Sequence, residues 1–130
     1  LKFSSQGNYD SHPISLFGMQ TVQKIEEEAG IVDLDHRRFR ANFYVSWQNN
    51  MPFFENDLVG RVLQIGDNVR IKFDEKDTRC AMINIDPSTG RVTPSVLRVV
   101  AQKHGNYAGV YASVLQEGTI TVKDLVYLLS

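Results

Sequence analysis

The sequence predicts a mainly β domain, a closed barrel carrying two or three short helices. Three observations carry that expectation. Several short stretches alternate in hydrophobicity with a period of two, only two stretches show helical spacing, and turn residues sit between them. Closing the sheet on itself leaves no edge strand open to another chain. At 130 residues the chain supports one core and is read as a single domain over residues 1–130. Leu1 in place of Met fits an excised domain or the C-terminal part of a longer protein.

The first helix is expected in MQTVQKIEEEAG, residues 19–30. Val22, Ile25 and Ala29 fall on one face, and Gly30 suits the left-handed position that ends a helix. The run Glu26 to Glu28 reads as a solvated face. RFRANFYVSW, residues 38–47, alternates as one strand: Phe39, Ala41, Phe43, Val45 and Trp47 point one way and Arg38, Arg40, Asn42, Tyr44 and Ser46 the other. RVLQIGD and VRIKF form short strands joined around Gly66 and Asp67. TRCAMINI reads as another strand, ended by the turn DPSTG. In TPSVLRVVAQKHG, Thr93 caps a second helix, Pro94 suits its first position and Gly105 stops it. GVYASVLQEGTITVKDLVYLL completes the domain with further strands around a turn at Glu117 and Gly118.

Composition excludes several classes of function. Fourteen basic against 15 acidic residues leave a net charge of −1, so general nucleic-acid or membrane-surface binding has no electrostatic support. No apolar run reaches the roughly 18 residues that span a bilayer. A single cysteine forms no internal disulfide, which favours a reducing, cytoplasmic compartment. His12, His36 and His104 are too scattered for a sequence-local zinc site, and phosphate-binding glycine loops are absent. Glu55 and Asp57 read as solvated or capping carboxylates of a turn.

Two features remain as chemistry. An arginine–arginine–asparagine face built from Arg38, Arg40 and Asn42 suits a phosphate or another polyanion, because guanidinium forks match phosphate oxygens. Solvated or ion-paired arginines are the commoner outcome for such a face, and the segment by itself leaves both readings open. Cys80 follows Arg79 directly, and strand alternation points its thiol away from the more apolar side of Ala81, Ile83 and Ile85. A buried structural thiol and a reactive one are equally compatible with that pattern. Arg79 favours the thiolate form, which is both nucleophile and soft metal ligand.

Together these residues resemble the MOSC domain, the C-terminal domain of molybdenum cofactor sulfurases, found also in amidoxime-reducing proteins. The resemblance runs from HPISL to VYLL, through RFRAN, TRC followed by NIDPSTG, and GVYASVLQEGTITVKDLVYL. It implies a barrel like the inserted domain of pyruvate kinase, and a role with molybdenum cofactor or with sulfur bound for a metal centre. Under it, Cys80 carries a persulfide or ligates molybdenum. Arg40 and Asn42 match the family's FRPN pattern, Arg38 matches in most relatives, Arg79 belongs to the TRC motif, and Thr21 falls near a family serine. Pyridoxal phosphate binding enters only by family association. A sulfur or cofactor donor such as a cysteine desulfurase, and an electron-transfer partner, are the implied partners.

The sequence departs from the family at Ala41 for proline, Ala108 for an aromatic residue, and Lys123 for the glycine before Asp124. Companion domains of the relatives are not in this chain. The expected function is therefore cofactor binding or sulfur carrying on Cys80. The alternatives are the catalytic part of a molybdenum oxidoreductase acting on N-hydroxylated substrates, and a non-catalytic interaction barrel.

Overall fold

Strands β1 (Lys2–Phe3) and β2 (Ile14–Gly18) come first, and β2 runs directly into helix α1 (Met19–Ala29). The structure, a computed structural model, describes residues 2–3 and 14–129; His12 and Pro13 of the first matched stretch lie outside the described residues. Next come β3 (Phe43–Val45), the hairpin of β4 (Val62–Ile65) and β5 (Val69–Thr78), and helix α2 (Ser95–His104). β6 (Tyr107–Gln116), β7 (Gly118–Thr119) and β8 (Val126–Leu128) follow. Short 3-10 turns occupy His36–Phe39, Phe54–Leu58 and Ala81–Asn84.

Six strands form one sheet in the order β3-β2-β6-β5-β4-β8, and β1 pairs with β7 separately. Only the β2–β3 pairing in the sheet is parallel. β5 and β6, ten residues each, form its spine. Their pairing is interrupted by irregularities at Arg70/Ile71, Phe73/Glu75 and Lys76/Thr78, and such bulges bend and twist a strand pair. The sheet therefore curls.

It does not close, which corrects the expected closed barrel. β3 and β8 remain its two edges, and a cavity of about 1050 Å³ lies between them, walled by Tyr44 to Trp47 on one side and Asp124 to Leu128 on the other. Each edge strand is three residues long, too short to build a ladder across that gap. The result is an open half-barrel.

Alternation along β2 splits the interior into two cores. Leu16 joins Phe43, Trp47, Leu63, Ile71, Phe73 and Val110 in the hollow of the sheet, whereas Phe17 joins the layer of Val22, Ile25, Phe39, Val96 and Val100 beneath the helices. Ala108 belongs to the helix-side core although Val110 and Ala112, at the same parity, belong to the other. Gly109 lies at that switch with φ 82, and a Cβ there would stand 2.7 Å from the Phe17 ring. Only glycine fits. Lys123, at the position where the family pattern has glycine, takes φ 79, so the turn keeps a left-handed backbone despite its side chain.

Both expected helices are present, ended by Gly30 and Gly105 in the left-handed conformation. α2 is not capped by Thr93. Its Leu97 N–H donates instead to Oδ1 of Asn84, 2.9 Å away on the preceding turn. The glutamate run is less solvated than its composition suggests. Glu26 accepts the Leu34 N–H at 2.7 Å, and Glu28 meets His104 on α2 at 2.7 Å.

Candidate functional site

The strand expected over residues 38–47 is mostly absent. His36–Phe39 winds into a 3-10 turn capped by Asp35, and Arg40 then takes φ 54 in the left-handed region. That reversal destroys the alternation, so Arg38, Arg40 and Asn42 do not share a strand face. Arg38 is buried, 4% exposed, while Arg40 and Asn42 are exposed. Asn42 accepts hydrogen bonds from the Ser15 N–H at 2.7 Å and the Ser15 hydroxyl at 3.2 Å, which ties the loop to β2.

The strand expected over TRCAMINI also fails. β5 ends at Thr78, Cys80 is extended, and Ala81–Asn84 forms a 3-10 turn. Two consequences follow for the thiol. Cys80 leaves the sheet altogether, and it is exposed. Ile83 and Asn84 turn inward while Ala81 and Met82 stay out, an asymmetry that a period of two does not produce.

A pocket of about 320 Å³ gathers Cys80 with Arg38, Arg40, Arg79, Asp77 and Tyr111. Residues some 40 positions apart in the chain thus meet, because the 36–39 turn packs against the 81–84 turn and the Arg79 that follows β5. Arg38 is the strut between the two. Its Nη1 donates to the Asn84 carbonyl at 2.9 Å, and its Nη2 lies 3.6 Å from the Asp86 carboxylate. Its Nε is buried without an acceptor among the described residues. Buried donors are nearly always paired, which sets this one apart.

Arg79 pairs with Asp77 and donates to the Phe39 carbonyl at 2.5 Å, its guanidinium lying 5.7 Å from the Phe39 ring centre and 6.0 Å from that of Phe17. Tyr111 has its phenol pKa raised, first by burial and then by the nearby Asp77 charge, so the hydroxyl stays protonated. Next to the pocket, Asp86 accepts the N–H groups of Ser88 and Thr89 at 2.8 and 3.2 Å, which builds the expected DPSTG turn. Ser88 in turn bonds Arg37 at 2.6 Å and Asp35 at 3.3 Å.

Thr21 stands elsewhere. It is fully buried, donating to Glu55 at 2.8 Å and accepting the Phe53 N–H at 2.8 Å. Glu55 is the functional-looking group that sequence reasoning misplaced as a solvated or capping turn residue. It is completely buried and also accepts the Gly18 N–H at 2.8 Å and the Trp47 indole at 2.9 Å. The flanking Phe53, Phe54 and Leu58 were the available signal for its burial.

Among the described residues, no three of His, Cys, Asp and Glu are placed to hold a metal ion, and no helix is long and apolar enough to cross a membrane. A metal here would rest on one soft sulfur ligand with further ligands from a cofactor. The donor set fits a thiolate-bound, anionic group: one accessible thiol, an unspent buried guanidinium N–H and an exposed guanidinium.

No curated protein sequence matches the chain. Among solved structures it is similar to YiiM from Geobacillus stearothermophilus, with TM-score 0.67 and 19% identity, covering 90% of this chain and 54% of that one. It is also similar to the YuaD protein from Bacillus subtilis, with TM-score 0.71 and 16% identity, covering 88% of this chain and 62% of that one. Those likenesses establish the fold, and the chain spans little more than half the length of either neighbour. The MOSC domain family model matches residues 6–127, nearly the whole sequence. The chain belongs to the MOSC domain family, which is associated with molybdenum cofactor.

Proposed function

We propose that this domain handles molybdenum cofactor or its sulfur through Cys80, with Arg38, Arg40 and Arg79 around the thiol. One observation carries the reading: an exposed thiol shares its pocket with a buried arginine whose Nε has no partner among the described residues. A structural cysteine would be packed among apolar groups, and a structural arginine would have its donors filled.

Molybdenum in a dithiolene cofactor supplies redox chemistry and a site for soft sulfur ligands. The residues of this chain hold and orient. Arg40 faces solvent and supplies attraction for an anionic group at the mouth of the pocket. Arg38 fixes the turn that carries Cys80 and keeps one N–H for a bound acceptor. Asn42 and Thr21 act at a remove, since Asn42 Oδ1 and the Thr21 hydroxyl are bonded to Ser15, Glu55 and Phe53.

As a sulfur carrier, the Cys80 thiolate attacks the outer sulfur of a donor persulfide. A Cys80 persulfide forms, and the donor leaves as its own thiolate, so no external oxidant is needed. Mass spectrometry after incubation with a cysteine desulfurase and cysteine is expected to show one added sulfur that is absent in Cys80→Ser. Metal analysis of protein from a cofactor-producing host reads the other branch, with molybdenum lost in the same variant. Neither adduct nor molybdenum in the wild type would overturn the reading.

A further inference from the structure

The three guanidiniums at the Cys80 pocket are not equivalent. Arg79 is spent: it pairs with Asp77, donates to the Phe39 carbonyl and lies over two phenyl rings. Arg38 is balanced by Asp86 and by the Asn84 carbonyl, with only Nε unspent. Arg40 is exposed, and its guanidinium has no acceptor among the described residues. Among the described residues Asp77 is the only carboxylate lining the pocket, and it is 6% exposed. It lies within the last register irregularity of β5, between Lys76 and Thr78. Tyr111, whose phenol pKa is raised by burial and the Asp77 charge, adds no charge, and neither do Ser15 and Thr78.

We infer that Asp77 sets the charge selectivity of the Cys80 pocket: by holding Arg79 in an ion pair it leaves Arg40 as the one uncompensated charge among the described residues, so the site takes a small, singly negative ligand beside the thiol. The inference rests on reading the Cys80 pocket as a ligand site, but it needs neither molybdenum nor a sulfur donor. Sequence adjacency makes Arg79 the obvious partner of Cys80; the pairing with Asp77 removes it from that role. Without the carboxylate, two uncompensated guanidiniums would favour doubly charged ligands instead. Without Arg79, the Asp77 carboxylate would offset Arg40 and cancel the preference for an anion.

Cys80 is the only cysteine, so any thiol adduct reports this site alone. Alkylation of the full chain by anionic iodoacetate and by neutral iodoacetamide gives a rate ratio, normalised to the same ratio for the chain unfolded in urea. The wild type is expected to favour the anion about threefold at low salt, the effect of one unit charge several ångströms away in a largely aqueous medium. The preference should shrink as salt is raised. Arg40→Gly, which suits the left-handed backbone there, should abolish it. Asp77→Asn should raise the ratio, and Arg79→Gln, which leaves Asp77 opposed to Arg40, should bring it down to about one. Asp77→Asn with Arg79→Gln removes both members of the pair and should return the wild-type ratio. This double variant keeps the test decisive where a lone buried charge unfolds a single variant. A wild-type ratio of one, or a folded double variant whose ratio stays away from the wild-type value, overturns the inference. Failure of the Cys80→Ser sulfur and molybdenum assays would leave these ratios standing, and the reverse also holds.

Discussion

Glu55 and Arg38 are both buried ionisable side chains on short 3-10 turns, yet they differ in how far their hydrogen bonds are filled. The Glu55 carboxylate accepts from the Gly18 N–H, the Thr21 hydroxyl and the Trp47 indole, three neutral donors at 2.8 to 2.9 Å. It sits at the amino end of α1, where a negative charge meets the helix dipole favourably. Gly18 is glycine for the same reason, since a Cβ there would stand 2.6 Å from both Glu55 Oε1 and Trp47 Nε1. Arg38 holds its turn equally firmly but keeps one buried donor unspent, beside an accessible thiol. A saturated buried charge is a strut. An unsaturated one beside an exposed thiol is what the proposed ligand site rests on.

The largest expected effect breaks the saturated side of that comparison. Glu55→Ala leaves three buried or half-buried donors without an acceptor, each costing on the order of 1–3 kcal/mol. The sum is about 4 kcal/mol, enough to leave a domain of this size barely folded. Urea unfolding followed by tryptophan fluorescence reads it directly, because Trp47 is one of the donors. A loss below about 1 kcal/mol would mean that water replaces the carboxylate, and that Glu55 is no strut.

Arg38→Met tests the other side with a smaller expected loss. It removes the contacts to the Asn84 carbonyl and to Asp86 but fills most of the volume. Stability should fall by about 2 kcal/mol, given that hydrogen bonds to charged groups contribute roughly 1.5–3 kcal/mol. Anion or cofactor retention should fall with it, whereas Glu55→Ala at a denaturant-free temperature where it is still folded should leave retention intact. Equal loss of retention in both variants would erase the distinction between strut and site.

How much of this was legible in the sequence depends on how local the determinants are. α1 and α2 were readable because their apolar spacing and terminal glycines lie within one element. The turn at Asp86 to Gly90 was readable for the same reason: its bonds span three or four residues. RFRANFYVSW misled because its alternating aromatics serve two different cores, Phe39 beneath the helices and Phe43 and Trp47 in the hollow of the sheet. A left-handed Arg40 between them breaks the strand that alternation suggests. Cys80, Arg38, Arg40 and Arg79 were singled out as residues, but their meeting point was not, since it depends on where β5 stops. The Asn84 cap on α2 and the saturation of Glu55 link residues 8 to 37 positions apart, beyond any local pattern.

The smallest expected effect sharpens the comparison at the surface of the same two loops. Asp35 and Arg37 form an exposed ion pair, with Arg37 Nη2 2.7 Å from Asp35 Oδ2, and both touch Ser88. The Arg37 side chain, then its N–H, holds the Asp35 carboxyl well below the usual carboxylate range. A folded-state pKa below the unfolded one means that the unfolded chain binds the proton first. The stabilisation is therefore fully present above the ordinary value of about 3.9 and is lost as pH falls through the folded value. Asp35→Asn should cost less than about 1 kcal/mol at pH 7, as surface pairs do, and less still in high salt. The difference in urea midpoint between wild type and variant should narrow below about pH 4, where the unfolded carboxyl begins to protonate. A gap that stays constant from neutral to strongly acidic pH would mean that the charge contributes nothing and that Asp35 acts only as the neutral cap of its turn. The Arg38–Asp86 pair, whose arginine is buried although Asp86 is partly exposed, should resist added salt better than the Asp35–Arg37 pair, whose arginine is exposed.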